Sequence, residues 1–512
     1  MKNNCVLTNP LSIFLDKPKE DFSRNDLLRI IQEKQIERLT FHYTALDGKL
    51  KELKIPISTK QDAEIVLTEG ERADGSSLFK GLVDTEVSDL YIVPLYKSAF
   101  LNPFNPGSLD FICRYLNSRG EPAAYTPDNI LSKAHNLIKK STGFDLYALG
   151  ELEFYLFYPE ETKMYLLNKQ SNYHSSATYS KTGKVLAEML RNITQITGAV
   201  KYAHGEVGFI EKLESKNPEI NGKTGEQLEI ELLPTPIGET GDNLVIAKWL
   251  IRNIAYRNGM LATFAPKLED GDAGNGMHVH VRLLKNGKNA IVNSDGTLSP
   301  EAMRVIGGLC HHASSLTSFG NTVASSYLRL VPNQEAPTRV SWSDSNRSAM
   351  IRVPLGWSKT NNLASIINPG KLDEQIIMDS MQTVELRTPD GSANTHLLLA
   401  GITLAVEWGL TNERAVGLAE KLYVKGNIFK DEKLLKELPV LPATCAESAE
   451  VLLKYRNYYE RDSIFPNSII DYQVKLLKGQ NDENIHKKLA KLRGKTRKSF
   501  LKKIMHQDIH RN

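Results

Sequence analysis

Four short segments of this chain carry charged or imidazole side chains at every second position. In Glu151-Leu-Glu-Phe-Tyr-Leu-Phe157, strand alternation places Glu151 and Glu153 on one face and Leu152, Phe154 and Leu156 on the other. The same reading gathers Gln227, Glu229 and Glu231 on one face of 227–231, and His278, His280 and Arg282 on one face of 277–282. It also pairs Glu385 with Arg387 on 384–387. Each segment predicts a strand with an apolar back and a ligand-bearing front. One H-x-H or E-x-E is a weak signal, but four such strands in one region predict a shared polar cavity. Carboxylates crowded into a cavity repel one another, and burial deepens the cost. Divalent cations offset that repulsion. Several carboxylates with one imidazole suit Mg²⁺ or Mn²⁺ better than zinc, which favours a small site rich in nitrogen and sulfur.

Arg329, Arg347, Arg352 and Arg387 add guanidinium groups to the same region. Their forks match carboxylate and phosphate oxygens. Metals with several arginines point to phosphoryl transfer, where positioning and charge neutralisation provide most of the catalysis. Arg329 lies in a segment, 326–337, that holds two prolines and reads as a loop.

The elements that must position these groups are legible in outline. Residues 25–39 predict an amphipathic helix capped by Asn25, and two strands flank Asp47-Gly48 as a hairpin. Residues 86–95 read as another strand, and a helix enters through Thr126-Pro127. The fold class expected is α+β. A small N-terminal domain spans 1–122, a catalytic domain 123–430, and a helical C-terminal extension 431–512.

Composition narrows the class. The chain has 512 residues, of which 41% are hydrophobic and 24% charged, which excludes a disordered or fibrous protein. No apolar run approaches the length of a membrane span, and the first twenty residues do not read as a signal peptide. Four scattered cysteines form no C-x-x-C pair, so a cytoplasmic setting is expected. The net charge of +4 conceals a split: the last 26 residues carry +9, leaving the body at −5. That tail reads as a surface-packed helix, and neither a nucleic acid nor a membrane is an expected partner.

Taken together, the motifs resemble glutamine synthetase of the bacterial class I type. They occur in order between about 25 and 475: Arg72-Ala-Asp-Gly-Ser-Ser77, Ser88-Asp89, ELEFYLF, His204-Gly-Glu206, Gln227-Leu-Glu229, ATFAPK, GNGMHVH, RLVPNQEAP, NRSAMIR and VELRTPDGSAN. The resemblance implies a β-grasp-like N-terminal domain and a curved antiparallel sheet in the catalytic domain. It implies a ring-stacked homo-oligomer with active sites between subunits. It implies glutamate, ammonium and ATP as substrates, two or more Mg²⁺ or Mn²⁺ ions per site, and a γ-glutamyl phosphate intermediate.

Residue by residue, the resemblance implies Glu153, Glu206 and Glu229 as ligands of one metal and Glu151, His278 and Glu385 as ligands of a second. Arg329 and Arg387, with the Gly274 backbone, would hold the amino acid; Arg347 and Arg352, with His280, would face phosphate. Glu335 would close over the site, and Asp74 would bind ammonium and take its proton, supported by Ser77 and Asp89. Ala273 stands where the family usually has Asn, with Asn275 the candidate to replace the lost hydrogen bond. The stretches between Glu206 and Glu229 and between Pro354 and Glu385 are longer than usual. These departures leave two other readings: a γ-glutamyl ligase for a small amine or polyamine, and a catalytically weak nitrogen sensor.

Overall fold

Gly48, at φ 80°, closes the first hairpin, because a left-handed turn costs glycine nothing. It joins β1 (Arg38–Thr44) to β2 (Leu50–Pro56) in antiparallel register. These strands open a computed structural model that describes residues 5–83, 88–159, 165, 167–331, 337–356, 363–371, 380–426 and 428–511. The N-terminal sheet continues through β3 (Glu71–Asp74), β4 (Asp89–Pro94), β5 (Phe100–Leu101) and β6 (Ser108–Leu116). Its order among the described residues is β2-β1-β6-β4-β3, with β1 and β6 parallel and β5 paired to β6. The short helix Gly75–Leu78 follows β3 directly.

The second sheet contains the acid- and imidazole-bearing segments. Its strands are β7 (Asp145–Tyr158), β8 (Val200–Ile210), β9 (Thr224–Leu232), β10 (Thr235–Pro236), β11 (Leu261–Thr263), β12 (Met277–Lys285), β13 (Lys288–Asn289), β14 (Trp342–Asp344), β15 (Ile351–Val353) and β16 (Val384–Leu386). The main path runs β14-β15-β16-β12-β7-β9-β8. It is antiparallel through the centre, and β14 with β15 form a parallel pair at one edge, so the sheet is mixed. The backs of these strands supply Leu152, Phe154, Leu228, Ile230, Val279 and Leu386 to the main core, each nearly inaccessible to solvent. Helices Ile237–Arg257, Pro300–Gly320 and Thr395–Thr411 complete that core. With its back sealed in this way, the sheet leaves only the polar front open to a cavity.

Two local expectations are corrected. The helix near the N-terminus runs Arg24–Glu33, not 25–39, and its cap is Ser23, not Asn25. Ser23 and Asp26 form a reciprocal capping box, and Gln35 at φ 52° turns the chain before β1. The first part of 326–337 is helical rather than loop: Ala324–Arg329 forms a short, fully buried helix.

The basic tail folds back onto the acidic body. The helix Gly494–Met505 buries Leu501 and Met505 against Leu328 and Ile485. Arg497 pairs with Asp270, and Lys502 pairs with Glu269 at 3.1 Å. His506 Nε2 donates to the Leu268 carbonyl at 2.8 Å, while Nδ1 lies 2.9 Å from Ser215 Oγ. Among the described residues, no helix is long and apolar enough to cross a membrane.

Candidate active site

Register, more than any one strand, assembles the site. Pairing of β12 with β7 sets His278 opposite Glu151, and pairing of β7 with β9 sets Glu153 opposite Glu229 and Glu151 opposite Glu231. On the far side, β16 sets Glu385 opposite His280, and β15 sets Arg352 opposite Glu385. At the other edge β8 sets His204 opposite Glu229, before a bulge between Gly205 and Phe209. Since side chains at matched positions of paired strands share a face, the row becomes the floor of one cavity of about 550 Å³. Arg329, Arg347, Arg352 and Arg387 line its walls.

Among the described residues, two triads that fit the expected metal chemistry have ligand atoms mutually within 4.8 Å. Glu151, His278 and Glu385, the set that the resemblance implied for one metal, form one. In the other, Glu206 and Glu229 come together with His204, while Glu153 Oε2 accepts from the Gly276 N–H at 2.6 Å. Glu151, Glu229 and Glu231 form a third, all-carboxylate set. His204 was not singled out from the sequence, and Glu231, though placed on the ligand-bearing front, was left out of the implied ligand sets. Alternation on 204–206 and 227–231 carried the signal, because each shares a face with an acid already singled out.

The electrostatics match an oxygen-rich site for a hard divalent cation. Burial pushes the Glu229 carboxyl well above its usual range, reinforced by the charges of Glu151, Glu153, Glu206 and Glu231. Burial would raise Glu151 too, but His280 and His278 hold it well below. His278 Nδ1 lies 2.8 Å from Glu151 Oε2 and 3.6 Å from Glu385 Oε1. His280 bridges Glu151 Oε1 at 2.9 Å and Thr383 Oγ1 at 2.8 Å. His278 thus lies between two carboxylates, and His280 supports Glu151 from behind.

The arginines divide by partner. Arg352 Nη1 donates to Glu385 Oε2 at 3.0 Å, and Arg387 Nε donates to Glu385 Oε1 at 3.1 Å. Arg387 also donates to the Arg347 carbonyl, which fixes the backbone beside the cavity. Arg329 is 4% exposed and donates to the carbonyls of Thr388 and Arg387, with Nη2 3.3 Å from His278 Nε2. Its stem passes close to Gly274: a Cβ there would sit 3.0 Å from Arg329 Cγ and 2.3 Å from the Pro266 carbonyl oxygen. Only glycine allows that approach, so Gly274 presents bare backbone to the cavity.

Asn275 does not replace the side chain missing at Ala273. It is buried behind the cavity, donating to the Ala265 carbonyl at 2.9 Å and accepting from Gln227 Nε2 at 3.1 Å. Gln170 reaches Ala273 instead: its Oε1 accepts from the Ala273 N–H at 2.8 Å. Tyr173 and Tyr202 flank His204, with ring centroids 5.3 and 5.6 Å from it, and both tyrosines line the cavity.

Asp74 and Asp89 on the N-terminal sheet, and Ser77 in the short helix after β3, are exposed and lie apart from this cavity. Asp74 pairs with Asp89 across β3 and β4 and accepts from Ser76 N at 2.8 Å, Ser76 Oγ at 2.6 Å and Ser77 Oγ at 2.6 Å. Those donors, Ser76 first, hold its carboxyl well below the usual range. Glu335 lies outside the described residues.

Comparisons with known proteins agree with this architecture. The family model "Glutamine synthetase, catalytic domain" matches residues 124–491, and "Glutamine synthetase, beta-Grasp domain" matches 35–118. A glutamine synthetase of Thermus thermophilus is 29% identical over 454 residues, covering 85% of this chain and 90% of the relative. A solved structure of Plasmodium falciparum glutamine synthetase is similar with TM-score 0.69 at 22% identity, over 91% of this chain and 97% of that one. A GmaS/ADP complex gives TM-score 0.68 at 21% identity, over 93% and 99%. At these identities the two structures establish likeness of fold.

Proposed function

The chain belongs to the glutamine synthetase family of ATP-dependent γ-glutamyl ligases, and on that premise we propose that it joins ammonia to the γ-carboxylate of glutamate. The observation that carries the reading is the row of buried carboxylates and imidazoles facing Arg329, Arg352 and Arg387 in one cavity. A carboxylate cannot expel oxygen without activation, so the γ-carboxylate oxygen forms a bond to the terminal phosphorus of ATP as the bond to ADP breaks. Ammonia then attacks the acyl carbon, and inorganic phosphate leaves.

Arg352 and Arg347 are assigned to hold the transferring phosphoryl group, and His280 to steady Glu151 beside it. Arg329, Arg387 and Gly274 are assigned to orient the amino acid. The two triads, with Glu153 and Glu231 beside them, would hold Mg²⁺ or Mn²⁺, which when bound offsets charge on the phosphates. Asp74, Ser77 and Asp89 are read as completing the site of a neighbouring copy in a ring-stacked homo-oligomer, since they lie outside their own chain's cavity. The hydrogen bonds from Ser76 and Ser77 favour Asp74 as a holder of ammonium over a strong proton acceptor. Glu335 is assigned to exclude water from the acyl phosphate. A cytoplasmic setting completes the proposal.

The aromatic wall favours a second acceptor. Tyr173 and Tyr202, 47% and 43% exposed, flank His204 within the cavity lining, and such faces attract alkylammonium ions. The discriminating experiment measures phosphate release with ATP, Mg²⁺ and glutamate while ammonium, methylamine and putrescine are varied. Release driven by ammonium supports the first reading. A strong preference for methylamine or putrescine replaces it with the second, and no release with any acceptor refutes both.

A further inference from the structure

Gln170 is a non-glycine residue held at φ 56°, in the left-handed region. Its segment is anchored on both sides: Lys169 pairs with Asp272 at 2.8 Å, Asn172 N donates to the Val207 carbonyl, and His174 N donates to the Gly205 carbonyl at 2.9 Å. The side chain is aimed across the gap left by the small residue at 273. Because the Ala273 N–H can only donate, the amide atom facing it must be Oε1. The other end of the amide is then a donor. Gln170 Nε2 is buried and has no hydrogen-bond partner among the described residues, and Gln170 lines the cavity with Ala273, Gly274 and Arg329. A buried donor beside bare backbone and a guanidinium calls for an acceptor on the ligand.

We propose that Gln170 is a substrate-recognition residue, donating from Nε2 to a carboxylate oxygen of glutamate at the Gly274–Arg329 end of the cavity. The assignment rests on the reading of that end as the amino-acid site. One amide performs two tasks: it pins the Ala273 backbone and offers the donor that the alanine side chain cannot.

The test is Gln170→Glu in the full-length assembled protein, with phosphate release measured against glutamate and, separately, against ATP. Glutamate at 170 keeps an oxygen for the Ala273 N–H and removes the donor. The KM for glutamate should rise roughly tenfold to a hundredfold, the size of one hydrogen bond to a charged group. The KM for ATP and the assembly should not change. Gln170→Met, which lacks the donor at similar volume, should give the same split and carries the test if Gln170→Glu does not assemble. A wild type that depends on glutamate, with an unchanged glutamate KM in the variants, overturns the assignment alone. Equal rises in both KM values also overturn it, as the mark of a purely structural role. A wild type with no glutamate-dependent release overturns the functional reading and the assignment together.

Discussion

Replacing Glu229 by glutamine should stabilise the metal-free protein and weaken its response to metal. Glu229 is 7% exposed, and its ligand oxygen lies within 4.8 Å of those of Glu151 and Glu231. At that separation a like-charged pair costs about 3.5 kcal/mol at an effective dielectric of about 20. Burial, and after it that neighbouring charge, push the Glu229 carboxyl well above its usual range. That Coulomb cost sets the gain expected from Glu229→Gln at roughly 3–4 kcal/mol. The sign follows from the raised folded value: the wild-type penalty is absent below about pH 4.3 and grows as pH rises through the folded value.

Metal reverses the order. A cation at a hundred times its dissociation constant stabilises the folded state by about 2.7 kcal/mol. The variant, short of one ligand charge in two of the three donor sets, should lose most of that gain. Thermal unfolding in EDTA and in excess Mn²⁺ reads both effects. A Tm in EDTA below that of the wild type, or an equal metal-induced shift in the two proteins, would refute the reasoning.

Three further outcomes are expected. Asp74→Asn should raise the ammonium requirement more than tenfold with glutamate and ATP KM values unchanged; steady-state kinetics at varied ammonium checks it, and an unchanged ammonium KM removes Asp74 from the site. His312 is buried with neither ring nitrogen hydrogen-bonded among the described residues and stacks on Tyr458 at 4.2 Å, and burial drives its pKa well below the ordinary value. The unfolded chain therefore binds the extra proton first, so wild-type stability falls as pH drops below about 6.5, by roughly 1.4 kcal/mol at pH 5.5, and His312→Phe should remove that component in denaturant melts. His506→Ala should cost about 1–3 kcal/mol by leaving the Leu268 carbonyl without its donor, and should speed amide exchange across 214–220 and 268–273; unchanged exchange there would show that the tail does not hold those loops.

Much of the site was legible because alternation is a local property. A two-residue period put Glu151 with Glu153, Glu229 with Glu231, and His278 with His280 on common faces before any neighbour was known. The apolar alternates explain why these segments are strands with one sealed face. The hairpin at Asp47-Gly48 and the helix entered at Pro127 were readable for the same reason, since turn chemistry and caps act within a few residues. Local rules also misled. Prolines after Arg329 suggested a loop where burial of Tyr327 and Leu328 holds a helix, and a long periodic run concealed the turn at Gln35.

Sequence by itself determined which groups could ligate, which could bind anions, and that they sit on strand fronts. Tertiary structure decided their combinations. Strand register set His204 beside Glu229 and left Glu153 bound to the Gly276 amide, and no period within a strand encodes the offset of its neighbour. Packing likewise brought Gln170 to Ala273 across 103 residues, turned Asn275 away from the cavity, and laid the basic tail on Asp270 and Glu269. Such contacts depend on where separate elements dock, and docking is set by the burial of whole apolar faces rather than by the polar residues that profit from it.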